Sequence, residues 1–566
     1  MSDDVKCDVC SAPAAHKCSA CKQVAYCSKE HQKEDWKKHK SACRPFEIRS
    51  SPELGKYLVA SRDLSPGDVI ISEQPLIVGP KLHSEQPICL GCHVPTRFDS
   101  EYRCPKCLWP FCGPSCPADP RIHGPECVIL RLQAKKNLEA AAGRDVSIYH
   151  YDAVTPLRCL ALQRRNPRKW EQIMGMEAHL KHRGQGTDTY REVRDRVVSF
   201  LQDNYLKKLS EVDKEGDALL SDTKDTTLHK ICGVLDVNGL EIRLPLGSEV
   251  VALYPTVYLM EHNCLPNTRH SFDICPGERQ HRVTVTATTH IPKGEHIATM
   301  YTHALWGTQA RREHLYATKY FMCKCKRCSD PTELGTYLSA LRCLGVQINS
   351  DGKPDGDGAT CGGTQLPASP LDDKTDWRCD RCPAVLSSAE VSDIVGRIGD
   401  EVDNIQAGGP TVKQLEELLS KLLTILHPHH YHIYSVKHSL VQLYGHQQGY
   451  QTSQLSDSQL ERKTDICKEL LQITDTLDPG SSRLCLYSSV LIHELHSAEF
   501  NLARRKLEKD PPTISPEDFS NKMQELKSLL QRAVKTLEVE PEFSAGSRML
   551  EFVRKSLTEL ENWRKT

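Results

Sequence analysis

The chain contains no run of about 18 consecutive apolar residues, which excludes an ordinary membrane-spanning helix. Its opening residues, MSDDVKCDVC, have neither the basic start nor the apolar stretch of a secretory signal, so an intracellular protein, cytoplasmic or nuclear, is expected. It also lacks a dominant charge. Lys plus Arg number 73 and Asp plus Glu 74, so no global field favours a nucleic-acid backbone or an anionic membrane as partner. Length is not lacking: 566 residues are enough for several domains with cores of their own.

Cysteine is abundant, with 26 residues. In a reducing compartment, paired C-x-x-C spacings point to zinc rather than to disulfides. The first block holds Cys7 and Cys10, Cys18 and Cys21, Cys27 and His31, His39 and Cys43, eight ligands within 37 residues. Tetrahedral zinc takes four Cys or His ligands, and two ligands separated by two or three residues reach one ion from a single backbone turn, so eight ligands imply two ions. So short a segment has almost no other core, and metal binding would contribute most of its folding free energy. Lys37, Lys38 and Lys40 are read as a solvated face rather than a nucleic-acid contact. The second block repeats the order with Cys89 and Cys92, Cys104 and Cys107, Cys112 and Cys116, His123 and Cys127. Its longer gap, which includes TRFDSEYR, predicts an extended loop.

These spacings, with the run YCSKEHQKEDWKKHKSAC, resemble the MYND finger. The resemblance implies that pairs one and three bind one zinc and pairs two and four another, and that the fingers bind protein partners. His31 stands where that family usually has Cys, which keeps a zinc ligand in place.

Between the two blocks, LGKYLVASRDLSPGDVIISEQPLIVG reads as short strands joined by tight turns. Residues 131–230 turn helical and charged, as in AKKNLEAAAGR and TYREVRDRVVSFLQDNYLKKL. Strand character is then expected in HKICGVLDVNGLEI, EVVALYPTVYLMEHNCLPNT, HRVTVTATTHIPKGEHIATMYT and KYFMCKCKRC. In this order the segments resemble a SET domain split by a MYND finger, the arrangement of the SMYD protein-lysine methyltransferases, and the extra N-terminal finger resembles the arthropod branch.

The expected fold is therefore multidomain α+β: a β-rich SET domain split by a MYND zinc finger, an extra N-terminal finger, a post-SET zinc site and a C-terminal helical, tetratricopeptide-like bundle. The expected bounds are 1–47 for the first finger, 48–80 for the start of the SET domain, 81–130 for the second finger and 131–230 for a helical insert. The SET core would occupy 231–305, the post-SET segment 306–335, a zinc-ribbon-like segment 336–385 and the helical region 386–566.

The resemblance implies S-adenosyl-L-methionine as cofactor, a protein or peptide lysine as substrate, and Tyr301 as the tyrosine beside the transferred methyl. Phe321 would pack on the cofactor's adenine, while Asn238, His262 and Tyr301 would help hold the cofactor. Glu261 and Asn263 flank His262 on the same side, and Gly55 with Lys56 would form the cofactor loop, Lys56 meeting a carboxylate. Three positions depart from the family. Tyr57 replaces the second glycine of Gly-x-Gly, Glu261 replaces an Asn, and Lys319 stands where many members have a second channel tyrosine. Lys319 would occupy the channel in the manner of a substrate, while Tyr320, one position out of register, would point elsewhere. Two functions stay open: a methyltransferase with an altered pocket, or a SET and MYND adaptor, such as a repressor, without turnover.

Cys323, Cys325 and Cys328 supply three thiolates, and the resemblance implies Cys264 as the fourth. Cys343, Cys361, Cys379 and Cys382 suggest one more ion around the loop INSDGKPDGDGAT, giving up to six zincs in all. Beyond residue 386, Leu415, Leu418, Leu419, Leu422, Leu423 and Leu426 mark a helical core stripe, and HPHHYHIYSVKH reads as a helix junction rather than a metal site.

Overall fold

The computed structural model describes residues 5–18, 24–82, 87–114, 116, 123–141, 149–212, 220–275, 280–345, 360–542 and 544–563. Cys21 and all of the INSDGKPDGDGAT loop except Thr360 lie outside the described residues. The N-terminal finger is a pair of two-residue strands, His16–Lys17 and Ala25–Tyr26, followed by the helix Lys29–Cys43. The Ser28 side chain accepts the His31 N–H at 3.3 Å and starts that helix, which carries His31, His39 and Cys43. The finger's small core contains Cys7, Cys18, Tyr26 and Cys43, three of them expected ligands.

The next strands follow alternation and turn chemistry. Phe46–Ser51 pairs antiparallel with Gly55–Ala60, and Val69–Glu73 pairs with Val283–Ala287, which in turn pairs with Thr268–Phe272. In VTVTA, Val283, Val285 and Ala287 are buried while the intervening threonines are half-buried, the period of a sheet with one covered face. A second sheet holds Glu249–Leu253 between Ile77–Pro80 and Leu240–Arg243. The chain leaves that sheet at Pro80 and rejoins it at Leu240, so the second finger and the helices after it form one insertion between the sheet's two outer strands.

One stretch differs from expectation. HKICGVLDVNGLEI is not a strand over its length: Asp225–Asn238 is a helix, and only Leu240–Arg243 is extended. Leu228, Ile231, Cys232, Val234 and Leu235 are buried, so the apolar positions follow helical spacing despite their β-branched content. Gly233 permits the packing, because a Cβ there would lie 2.8 Å from the Ala178 carbonyl oxygen. KYFMCKCKRC is not a strand either. Lys319 ends the helix Thr308–Lys319, Tyr320 takes a left-handed φ of 62°, and Lys326–Ser329 is a single helical turn.

The C-terminal region is helical from Ser388 onward, with seven helices among the described residues: Ser388–Ala407, Val412–Leu422, Tyr431–His446, Asp457–Leu477, Cys485–Glu508, Pro516–Leu537 and Ala545–Trp563. Capping boxes at Ser387 with Glu390, Thr411 with Gln414 and Ser456 with Gln459 satisfy the free N–H groups at three helix starts. Leu415, Leu418, Leu419, Leu422 and Leu426 are buried, with Leu423 packed at the edge of the same core. His430 caps the helix Tyr431–His446, so the histidine-rich run is a helix junction. Among the described residues no helix is long and apolar enough to cross a membrane.

Candidate active site and metal centres

Among the described residues, at least five sets of four cysteine or histidine side chains converge, the ligating atoms of each set lying within 4.8 Å of one another. They are Cys7, Cys10, Cys27 and His31; Cys89, Cys92, Cys112 and Cys116; Cys104, Cys107, His123 and Cys127; Cys264, Cys323, Cys325 and Cys328; and Cys343, Cys361, Cys379 and Cys382. Pairs one and three of each finger thus meet, as do pairs two and four of the second finger. In the first finger Cys18 Sγ lies 3.5 Å from Cys43 Sγ and His39 is buried. Closed sets of four sulfur and imidazole donors suit structural zinc.

Surrounding side chains orient these sets. In the second finger, Glu126 Oε1 accepts from His123 Nδ1 at 2.8 Å and from Arg158 at 2.7 Å, leaving His123 Nε2 to face Cys107 Sγ at 3.3 Å. Such a carboxylate fixes the tautomer of a ligating histidine. At the Cys264 set, Arg311 donates to Cys264 Sγ at 3.3 Å and to Cys328 Sγ at 3.4 Å. Glu333 holds both Arg311 and Arg327, at 2.7 and 3.0 Å, with all three side chains buried. Burial alone would raise the Glu333 carboxyl, but the two guanidiniums hold it down at about 2. The sequence reading missed Arg311, Arg327 and Glu333, which follow no ligand spacing; only the tertiary packing joins them.

His262 links this set to Tyr301. Its Nδ1 accepts the Tyr301 backbone N–H at 2.9 Å, which leaves the proton on Nε2, 3.2 Å from Cys264 Sγ. Burial keeps the imidazole neutral, pulling it down to about 4. The Tyr301 hydroxyl donates to the Met260 carbonyl oxygen. Burial and, secondarily, the Glu261 carboxylate push the Tyr301 phenol up, so it stays protonated. The His262 ring centroid lies 5.4 Å from that of Tyr301 and 6.0 Å from that of Phe321. His262, Tyr301 and Phe321 therefore converge on one side of the Cys264 set.

The other expected contacts are spread around this centre. Gly55 has a φ of +67° and Lys56 is exposed beside it. Tyr57 lies in regular strand register opposite Arg49, so the left-handed position of the loop falls on the glycine that is present. The Tyr57 ring stacks on His296 at 4.7 Å, and His296 Nδ1 meets Glu261 Oε1 at 2.5 Å. Glu261 Oε2 is buried without a hydrogen-bond partner. Asn263 accepts the Leu265 N–H at 3.0 Å in a local turn, and Asn238 donates to the Glu177 and Val234 carbonyls at 2.7 and 3.0 Å. His296 was not foreseen, because nothing in its spacing marks it as the partner of Glu261.

The MYND finger family description matches residues 7–43, and the SET domain description matches residues 55–302. The Drosophila melanogaster SET domain-containing protein SmydA-8, isoform B, is 30% identical over 372 residues, covering 62% of this chain and 71% of that protein. The chain belongs to the SMYD family.

Other relatives are more distant. Histone-lysine N-methyltransferase ASHR1 of Arabidopsis thaliana is 23% identical over 312 residues, 52% of this chain and 58% of that protein. N-lysine methyltransferase SMYD2-B of Xenopus laevis is 25% identical over 296 residues, 50% of this chain and 61% of that protein. The match to these two thus spans about six-tenths of their own length.

Proposed function

We propose that this SMYD chain is an S-adenosylmethionine-dependent protein-lysine N-methyltransferase with an altered cofactor pocket. The observation that supports this most is the convergence of Tyr301, His262 and Phe321 against the Cys264 set. When bound, S-adenosylmethionine supplies an electrophilic methyl group. The chain's own task is to align a lysine amine with it, to keep water out and to favour the uncharged amine over the ammonium. Tyr301, buried and protonated, would line the lysine channel rather than act as a base. His262 fixes the Tyr301 backbone and ties it to the zinc ligand Cys264. Phe321 would offer a ring face to the adenine, and Gly55, Lys56, Asn238 and Asn263 would border the pocket.

The donor set fits this cofactor at one further point. Glu261 Oε2 is a buried acceptor without a donor, and the cofactor's ammonium would supply one. The expected partners are a lysine-bearing protein or peptide and, at the fingers, other proteins. Up to six zincs would hold the scaffold, and an intracellular setting is in keeping with free thiols.

A second reading, an adaptor without turnover, draws on the contact that joins Tyr57, His296 and Glu261 across the expected cofactor loop. Calorimetric titration with S-adenosylmethionine separates the two. Binding that is lost in His262→Ala, together with a fall in kcat of ~10²-fold or more in Tyr301→Phe, supports the enzyme. No uptake at millimolar cofactor by the intact, zinc-loaded chain leaves the adaptor.

A further inference from the structure

Lys319 is the last residue of the helix Thr308–Lys319, and the turn after it is firmly held. The Tyr320 N–H bonds the Tyr316 carbonyl at 3.1 Å, the Tyr320 hydroxyl accepts from Arg183 at 3.3 Å, and its ring stacks on His182 at 4.9 Å. The helix end is thereby fixed, and the Lys319 side chain points inward. Its ammonium donates to the Val237 carbonyl at 2.7 Å and to the Asp236 carbonyl at 3.3 Å. Both carbonyls belong to the last turn of the helix Asp225–Asn238, where they have no intrahelical partner and the helix dipole is negative. On another side, the Tyr301 ring centroid lies 5.8 Å away, within cation–π range.

Two helix-terminal carbonyls and an aromatic face make a receiver for a cation. The charged groups that act on it are Asp236, Glu241 and Arg183. Asp236 is itself paired with Arg183, so its carboxylate adds little net charge. Burial, and secondarily Arg183, lowers the Lys319 amine against the pull of the two carboxylates, which brings it closer to the neutral state that a methyl acceptor requires.

We propose that Lys319 is an internal occupant of the substrate-lysine slot: its side chain fills the receiver formed by Asp236, Val237 and Tyr301, so that a substrate lysine must displace it. This rests on the reading of Tyr301 as the tyrosine beside the transferred methyl. Two ammonium groups cannot share two carbonyls and one ring face, so Lys319 competes with every incoming lysine. A variant that removes it vacates the slot without altering the Cys264 zinc set.

The test uses the intact, zinc-loaded chain and n-butylammonium as a probe for the empty slot, read by ligand-observed nuclear magnetic resonance. Lys319→Ala binds the probe and the parent chain does not. Lys319→Met, which keeps an uncharged stem, binds it more weakly than Lys319→Ala. In parallel, methyl transfer to a mixed histone and peptide pool rises about tenfold or more in Lys319→Ala, the factor by which an internal competitor filling nine-tenths of the slots depresses apparent affinity. Equal probe binding by parent and Lys319→Ala, or none by either variant with circular dichroism unchanged, overturns the proposal. Probe binding confined to the variants, with no S-adenosylmethionine uptake by any chain, upholds the slot and sinks the methyltransferase reading.

Discussion

Lys463 and Glu494 face each other between two C-terminal helices, Nζ to Oε2 at 2.5 Å, with side chains 1% and 8% exposed. Burial would raise the Glu494 carboxyl, but hydrogen bonds from His446 and His493 and the Lys463 charge hold it well below its ordinary 4.5. The pair therefore stabilises the fold at pH values above the unfolded carboxyl's 4.5, and that contribution is lost as pH falls toward the depressed folded value. Glu494→Gln leaves a buried ammonium uncompensated, for an expected loss of about 3–5 kcal/mol at neutral pH. Urea unfolding followed by circular dichroism should show that loss at pH 7. The gap between variant and parent should narrow below pH 4.5, because only the parent has this carboxylate to protonate.

Buried charges also tie individual elements together. The helix Val154–Arg165 anchors the second finger through Arg158, which reaches Glu126, the Leu90 carbonyl at 2.9 Å and the Val78 carbonyl at 2.7 Å. Arg158→Met should cost about 3–5 kcal/mol by stranding Glu126. It should also weaken zinc binding at Cys104, Cys107, His123 and Cys127 by ~10–100-fold, measured by competition with a chromogenic chelator. The ligand pairs themselves were legible in the chain, because two thiolates on one turn leave a fixed spacing, while the pairing within each finger and the place of Cys264 came from the family resemblance. Glu126 and Arg158 were not, since 32 positions separate them. The helix Asp225–Asn238 was misread as extended because Ile231, Val234 and Val237 favour strands. The tight seat of Gly233 on Ala178 is a tertiary fact with no local signal. At the proposed catalytic centre, Tyr301, His262 and Phe321 were named from the family resemblance, whereas His296 became visible only when the strand Gly55–Ala60 and the residues near Ala298 were brought together.

Across the whole molecule the C-terminal helices share an apolar core with Cys264, Met300 and Leu305 and meet the SET strands at polar points as well. Arg269, on the strand Thr268–Phe272, donates twice to the Thr536 carbonyl at 3.1 Å and faces Glu540 at 3.9 Å. Thr288 and Ser482 share a hydrogen bond at 2.6 Å nearby. Arg269→Ala should weaken this docking by about 1–3 kcal/mol, the range for hydrogen bonds from a charged group. Limited proteolysis should then release a C-terminal fragment faster than from the parent, with the zinc content unchanged.

The Cys264 set has a consequence for synthesis as well as for shape. Each finger gathers its ligands from a short stretch and can load metal soon after it leaves the ribosome. Cys264, by contrast, precedes Cys323 by 59 residues and Cys328 by 64. During translation Cys264 and its neighbour His262 must wait for the last part of the SET domain and the segment after it to emerge. The centre that positions Tyr301 is thus among the later metal sites to close, and a cell short of zinc during that interval would accumulate chains with finished fingers and an unassembled centre.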